Sequence, residues 1–138
     1  MRILNRHAPI ALLFTFIFQS FAHADETDII RNVITNQLEA FKRDDAASAY
    51  SFAAPVIQQI FPDEDIFIDM VRKAYPQVYR PKSYKFGQIE PVDNAMAQTV
   101  ILTDESGKQW QALYTLEQQT DGSWKITGCR ILKSDITS

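Results

Sequence analysis

Histidine occurs only twice in the 138 residues, as His7 and His23, and cysteine once, as Cys129. Both histidines fall within a leader-like N-terminal stretch, so the segment from residue 25 onward has none. Such a segment offers no His general base, no Ser-His-Asp triad, no Cys-His pair and no His-ligated metal. One cysteine closes no internal disulfide. No block of Lys and Arg is present and the net charge is −3, so the chain has little attraction for nucleic-acid phosphates or anionic lipid. No metal, no cofactor, no catalytic constellation and no nucleic-acid partner are expected. The apolar run at residues 10–18 is too short to span a membrane, which takes about 20 such residues.

That run has a different reading. It follows Arg2 and Arg6, no acid precedes Asp25, and the stretch ends in Ala22-His23-Ala24, the small-x-small pattern of a signal-peptidase site. Residues 1–24 read as a signal peptide cleaved after Ala24. No cysteine stands near the cut for lipid attachment, and the two arginines are not adjacent, which argues against the twin-arginine route. The remaining chain, residues 25–138, reads as one exported domain, periplasmic or secreted, with no stable membrane span after processing. Cleavage removes two of the 14 basic residues and none of the 17 acidic ones, leaving a more acidic product.

Within residues 25–138 the hydrophobic period changes once. Asp25, Glu26 and Asp28 suit the positive end of a helix dipole, and Ile30, Val33, Ile34, Leu38 and Phe41 follow at helical spacing. Asp44 and Asp45 can cap a short helix over residues 46–53, which Pro55 stops. Val56, Ile57, Ile60 and Phe61 predict a further turn or two. Pro62-Asp63-Glu64-Asp65 opens a third main helix, ended by Tyr75-Pro76. Those acids lack the glycine and further oxygen ligands of a calcium loop.

From Ser83 the period becomes two. Strands are predicted over residues 84–90, 96–103, 109–117 and 124–133, with turn signals at 104–107 and 120–123. Trp110, Ala112, Tyr114 and Leu116 share one face, and Trp124, Ile126, Gly128, Arg130 and Leu132 share one face of the last strand. The fold class is α+β, with N-terminal helices covering one side of a four-stranded antiparallel sheet. Such a sheet twists and curls, and curling leaves a hollow under its helical cover.

Four segments carry a family likeness: residues 34–41 (ITNQLEAF), 46–52 (AASAYSF), 107–114 (GKQWQALY) and 121–129 (DGSWKITGC). Through them the chain resembles the bacterial family named domain of unknown function 4864. The order of helices before strands resembles the nuclear-transport-factor-2-like superfamily, also called SnoaL-like or cystatin-like. That resemblance implies a cone-shaped fold with a pocket and homodimerisation through the sheet. It implies no activity.

Candidate ligand contacts are Tyr50, Trp110, Tyr114, Trp124 and Arg130. The aromatics offer apolar faces with polar tips to a hollow. Arg130, on the interior parity, would hold a carboxylate or phosphate. Alternatively its stem is buried and it pairs with Asp44 or Asp45, or a bulge turns it outward. Cys129 falls on the opposite parity, on the outer face or in a dimer contact. Asp45, Glu90 and Asp93 are assigned no role. The reading is a small-molecule-binding module for an apolar or amphipathic ligand. An isomerase or dehydratase using a pocket carboxylate and a tyrosine is the alternative, as is an accessory protein self-associating through Leu113, Cys129 and Ile131.

Overall fold

The computed structural model describes residues 22–132, together with Pro9 and Ala11. The expected leader lies outside the described residues, apart from Pro9, Ala11 and its last three positions. Helix α1 spans Ala22–Lys42, α2 Ala46–Ser51, α3 Pro55–Ile60, α4 Glu64–Ala74 and α5 Pro76–Tyr79. Strands β1 (Ser83–Val92), β2 (Ala95–Thr103), β3 (Gln109–Gln118) and β4 (Trp124–Leu132) follow. They pair antiparallel in the order β1-β2-β3-β4. The architecture is α+β, helices first and sheet second, as the change of period predicts.

Local chemistry sets the helix ends. Asp45 caps α2, its Oδ1 accepting from the Ser48 N–H at 3.1 Å. Asp63 caps α4 by accepting from the Asp65 and Ile66 N–H groups. Asp44 takes no capping role; it turns the chain out of α1 with φ 57°, a conformation that Asp tolerates better than most residues. Helix α4 ends at Ala74, as Tyr75-Pro76 predicts, and Pro76 then begins a further short helix. It occupies the first turn of α5, where its missing N–H costs nothing.

Ile30, Ile34, Leu38 and Phe41 form the buried stripe of α1 and face Val100, Leu102, Ala112, Tyr114, Leu116 and Ile126 on the sheet. Helix α2 ends two residues earlier than predicted because Ala53 leaves it to make a parallel bridge with Ile126. There the Ile126 N–H donates to Phe52 O and the Ala54 N–H to Ile126 O, each at 2.8 Å. These bonds tie the helical layer to β4.

The sheet departs from simple alternation twice, between Phe86 and Ile89 of β1 and opposite Thr115 and Leu116 of β3. At the second bulge Leu116 pairs with Ile126 and Thr115 with Gly128, so β4 carries an extra residue, Thr127. Trp124 and Ile126 keep the inward parity. Beyond the bulge parity inverts, pairing Cys129 with Tyr114 and Ile131 with Ala112 on the inner side. Arg130 pairs with Leu113 on the outer side and is exposed. The interior placement of Arg130 and Leu132 is therefore corrected, and so is the outward placement of Cys129 and Ile131. Of the three residues expected on a self-association face, only Leu113 lies on it.

Candidate functional site

Between the helices and the inner face of the sheet lies a partly open cavity of about 200 Å³. Helix α1 contributes Gln37 and Phe41 to its wall; Ala53, Ile57 and Phe61 come from α3 and its flanks. Phe67, Met70 and Val71 of α4 line another side, with Tyr75 and Val78 beyond. The sheet supplies Tyr114, Ile126, Gly128 and Cys129. No Asp, Glu, Lys or Arg is among these lining residues.

The helical wall is an aromatic cluster. The Phe67 ring lies 6.1 Å from Phe41, 5.6 Å from Tyr50 and 6.3 Å from Phe61, all tilted, the geometry that aromatic quadrupoles favour. Tyr50 stands behind this wall and fastens α3. Its hydroxyl donates to Phe61 O at 2.6 Å, and the Gln58 amide donates back to Tyr50 O at 3.2 Å. No side chain of α3 itself is buried, so these bonds and the Ala53 bridge hold it in place.

Tyr114 is the polar centre of the sheet wall. It is 1 % exposed, yet its hydroxyl has no hydrogen-bond partner in the protein. What it has instead is the Cys129 thiol, which acts on the hydroxyl through charge and as a weak hydrogen-bonding partner. Burial, ahead of Cys129, raises the Tyr114 phenol well above its usual range. Burial likewise pushes the Cys129 thiol up to about 12, with Tyr114 drawing it back slightly. Both stay neutral at ordinary pH. Opposite them, Gln37 is 4 % exposed and its amide donates to Ala49 O at 3.1 Å.

A family model described as domain of unknown function (DUF4864) matches residues 23–137. The chain belongs to that family. The match runs through every described helix and strand, so the cavity lies wholly within the family's domain. Among curated proteins, none matches the sequence.

Of the five candidate contacts, Tyr114 lines this cavity and four do not. Tyr50 is one layer behind. Trp110 lies at the far end of β3, where its Nε1 donates to Asp104 Oδ2 at 2.9 Å and the Lys108 ammonium sits 4.1 Å above its ring. It borders a separate, open hollow with Pro76, Gln77 and Arg80. Trp124 packs half-buried at the margin of the core. Arg130 is on the other side of the sheet and pairs with neither Asp44 nor Asp45, whose cations are Arg80 and Arg43. Sequence reasoning missed Gln37 and Cys129. A glutamine on an otherwise apolar helix stripe, and a glycine inside a strand, were the signals that point to them.

Proposed function

We propose that this domain is a non-catalytic binding module holding a small apolar or amphipathic molecule in the cavity between α1, α4 and the sheet. The observation that carries this reading is a partly open, apolar hollow of about 200 Å³ with no charged side chain on its wall. Protein interiors leave few voids larger than a water, so a hollow of this size is costly to keep unless something occupies it. The enzymatic alternative needs a carboxylate facing the hollow with a raised pKa. The walls supply none, and that favours binding over proton transfer.

We further propose the nuclear-transport-factor-2-like cone for this fold, supported by the element order and by two bulges, the usual means of bending a strand. We also propose export after cleavage at Ala24, supported by the basic start, the apolar run and the Ala22-His23-Ala24 site. Among the described residues no helix is long and apolar enough to cross a membrane.

Native mass spectrometry of protein purified without detergent tests the binding role, together with a thermal-shift screen of small apolar alcohols, phenols, hydrocarbons and acids. A co-purifying small molecule, or a rise in Tm with one class, is expected. No adduct and no shift with any class would overturn the proposal. N-terminal sequencing of the exported protein tests the leader; a first residue other than Asp25 would move or remove the cleavage site.

A further inference from the structure

Gln37 places on the cavity wall a polar atom that has no partner among the described residues and is not sealed in. Resting on the binding reading above, we infer that the site takes an uncharged molecule about the size of one ring that donates one hydrogen bond to Gln37 Oε1: a phenol, a small cyclic alcohol or a neutral N–H compound.

Gln37 of α1 is almost wholly buried and lines the hollow. Its neighbour Ala49 O can only accept, so the group that meets it at 3.1 Å is the amide NH2, and the carbonyl end is left over. Among the described residues no side chain or backbone group donates to that carbonyl. The buried side-chain oxygens that lack both a partner and open surface are those of Gln77 and Tyr114. Gln37 Oε1 is not one of them, so it keeps a face on open space. With the rest of the residue enclosed by the core, that space is the hollow. The Tyr114 hydroxyl, closed off against the Cys129 thiol, takes no part.

A cavity of roughly 150 Å³ lined by aliphatic and aromatic side chains accommodates benzene, so the 200 Å³ here admits a ring with one or two substituents. A carboxylate would meet no Lys or Arg on the wall and an ammonium no Asp or Glu. An unpaired buried charge is far more costly than a neutral polar group. Polarity decides the rest. A ligand that fills the hollow strips water from Gln37 Oε1. A hydrocarbon leaves that oxygen unpaired, and a ketone or ether only brings a second acceptor to face it. An O–H or N–H replaces the lost bond and satisfies both groups.

Four probes of similar shape separate these effects: phenol donates, benzaldehyde only accepts, toluene does neither and benzoate is charged. Each is titrated at pH 7 into the purified protein while NMR follows the amide shifts of residues 34–41 and 126–130 and the side-chain carbonyl of Gln37. Phenol is expected to bind roughly tenfold more tightly than toluene or benzaldehyde and to move the Gln37 carbonyl, with benzoate leaving all these signals in place. In Gln37→Met, phenol should fall to the affinity of toluene. In Tyr75→Phe, which removes the hydroxyl of a half-buried wall residue, the preference for phenol should persist. Equal affinities for phenol, toluene and benzaldehyde in the unaltered protein would overturn the role of Gln37 and leave the binding module standing. So would a phenol preference that survives in Gln37→Met or disappears in Tyr75→Phe. Should Gln37→Met not fold, a Gln37 carbonyl that phenol leaves unmoved overturns the same role. Benzoate binding as tightly as phenol would overturn the neutral class. If none of the four binds at millimolar concentration, the binding module itself falls, and the ligand class falls with it.

Discussion

Two buried tyrosines, Tyr79 and Tyr114, belong to one hydrophobic core and are treated in opposite ways. Tyr79, at the end of α5, is 5 % exposed and its hydroxyl is fully engaged. It donates to Asp44 Oδ1 and accepts from Arg72 at 3.3 Å. The Arg72 and Arg80 guanidinium groups lie 5.2 and 5.3 Å from its ring, and Arg80 also reaches Asp44 Oδ2 at 2.7 Å. This is a joint. It locks the chain reversal after α1 to α5, and the Arg80 and Tyr79 bonds hold the Asp44 carboxyl below its usual range. Tyr114, on β3, is more deeply buried and has only the Cys129 thiol, a weak partner, beside its hydroxyl. The fold engages one phenol fully and leaves the other nearly unbonded.

The largest test removes the ring shared by the core and the cavity wall. Phe41 is 1 % exposed, its ring 5.8 Å from Tyr79 and 6.1 Å from Phe67, and it forms part of the cavity wall. Phe41→Ala should cost about 3–5 kcal/mol in urea unfolding, from lost burial and an enlarged void. A loss under about 1 kcal/mol would mean that the wall collapses to fill the space, and that joint and cavity are not independently supported.

The next test should give effects of opposite sign from one chemical change. Tyr79→Phe removes a satisfied hydroxyl and should lower stability by about 1 kcal/mol, a few degrees in Tm. Tyr114→Phe removes an unsatisfied one from the interior and should leave the unliganded protein as stable or raise it by about 1 kcal/mol. Destabilisation by Tyr114→Phe would show that its hydroxyl has a partner after all, and the contrast between the two tyrosines would disappear.

The sequence carried the framework of this fold because its signals are local. Asp45 caps the helix it was expected to cap, α4 starts where Pro62-Asp63-Glu64-Asp65 places it, and the 3.6-residue stripe of α1 is the stripe that is buried. The site was poorly legible because it depends on two bulges, each inserting one residue into a pattern read at period two. Each bulge carries an isolated strand glycine. At Gly128 an added Cβ would sit 3.0 Å from Thr115 Oγ1, a tight contact that glycine avoids. Treating Gly128 as an ordinary strand residue carried Arg130 inward and Cys129 outward. At Gly87 the irregular backbone is filled by Gln98, whose amide donates to Gly87 O at 3.1 Å while Arg31 Nε donates to Gln98 Oε1 at 3.1 Å. Contacts between residues 31, 87 and 98 have no local signature.

Alkaline pH separates the cavity from the joint next. Folding raises the Cys129 thiol from an ordinary value near 8.5 to about 12, so the unfolded chain loses that proton first. The stability that Cys129 contributes is complete below pH about 8.5 and is lost as pH rises through about 12. Cys129→Ala should flatten that part of the stability profile measured by urea unfolding. A thiol reagent that modifies the native protein at pH 8 as fast as the unfolded chain would contradict the burial.

The smallest effect lies at the acid end, in the hollow beside α5, where the Trp110 indole N–H is held by Asp104. Asp104 accepts from Ser106 Oγ at 2.6 Å, from Trp110 Nε1 at 2.9 Å and from the Lys108 N–H at 2.9 Å. These bonds, Ser106 foremost and then Trp110, hold the carboxyl down to about 2. The sign is the reverse of Cys129: its contribution is present above the ordinary Asp value of about 3.9 and is lost as pH falls through about 2. Protonation releases the indole N–H, so Trp110 fluorescence, read in a Trp124→Phe background, should shift with a midpoint near pH 2. In Asp104→Asn that transition should vanish. A midpoint near 4 would mean that the exposed turn lets water replace these bonds, leaving the buried Tyr79 joint as the better counterpart to the cavity.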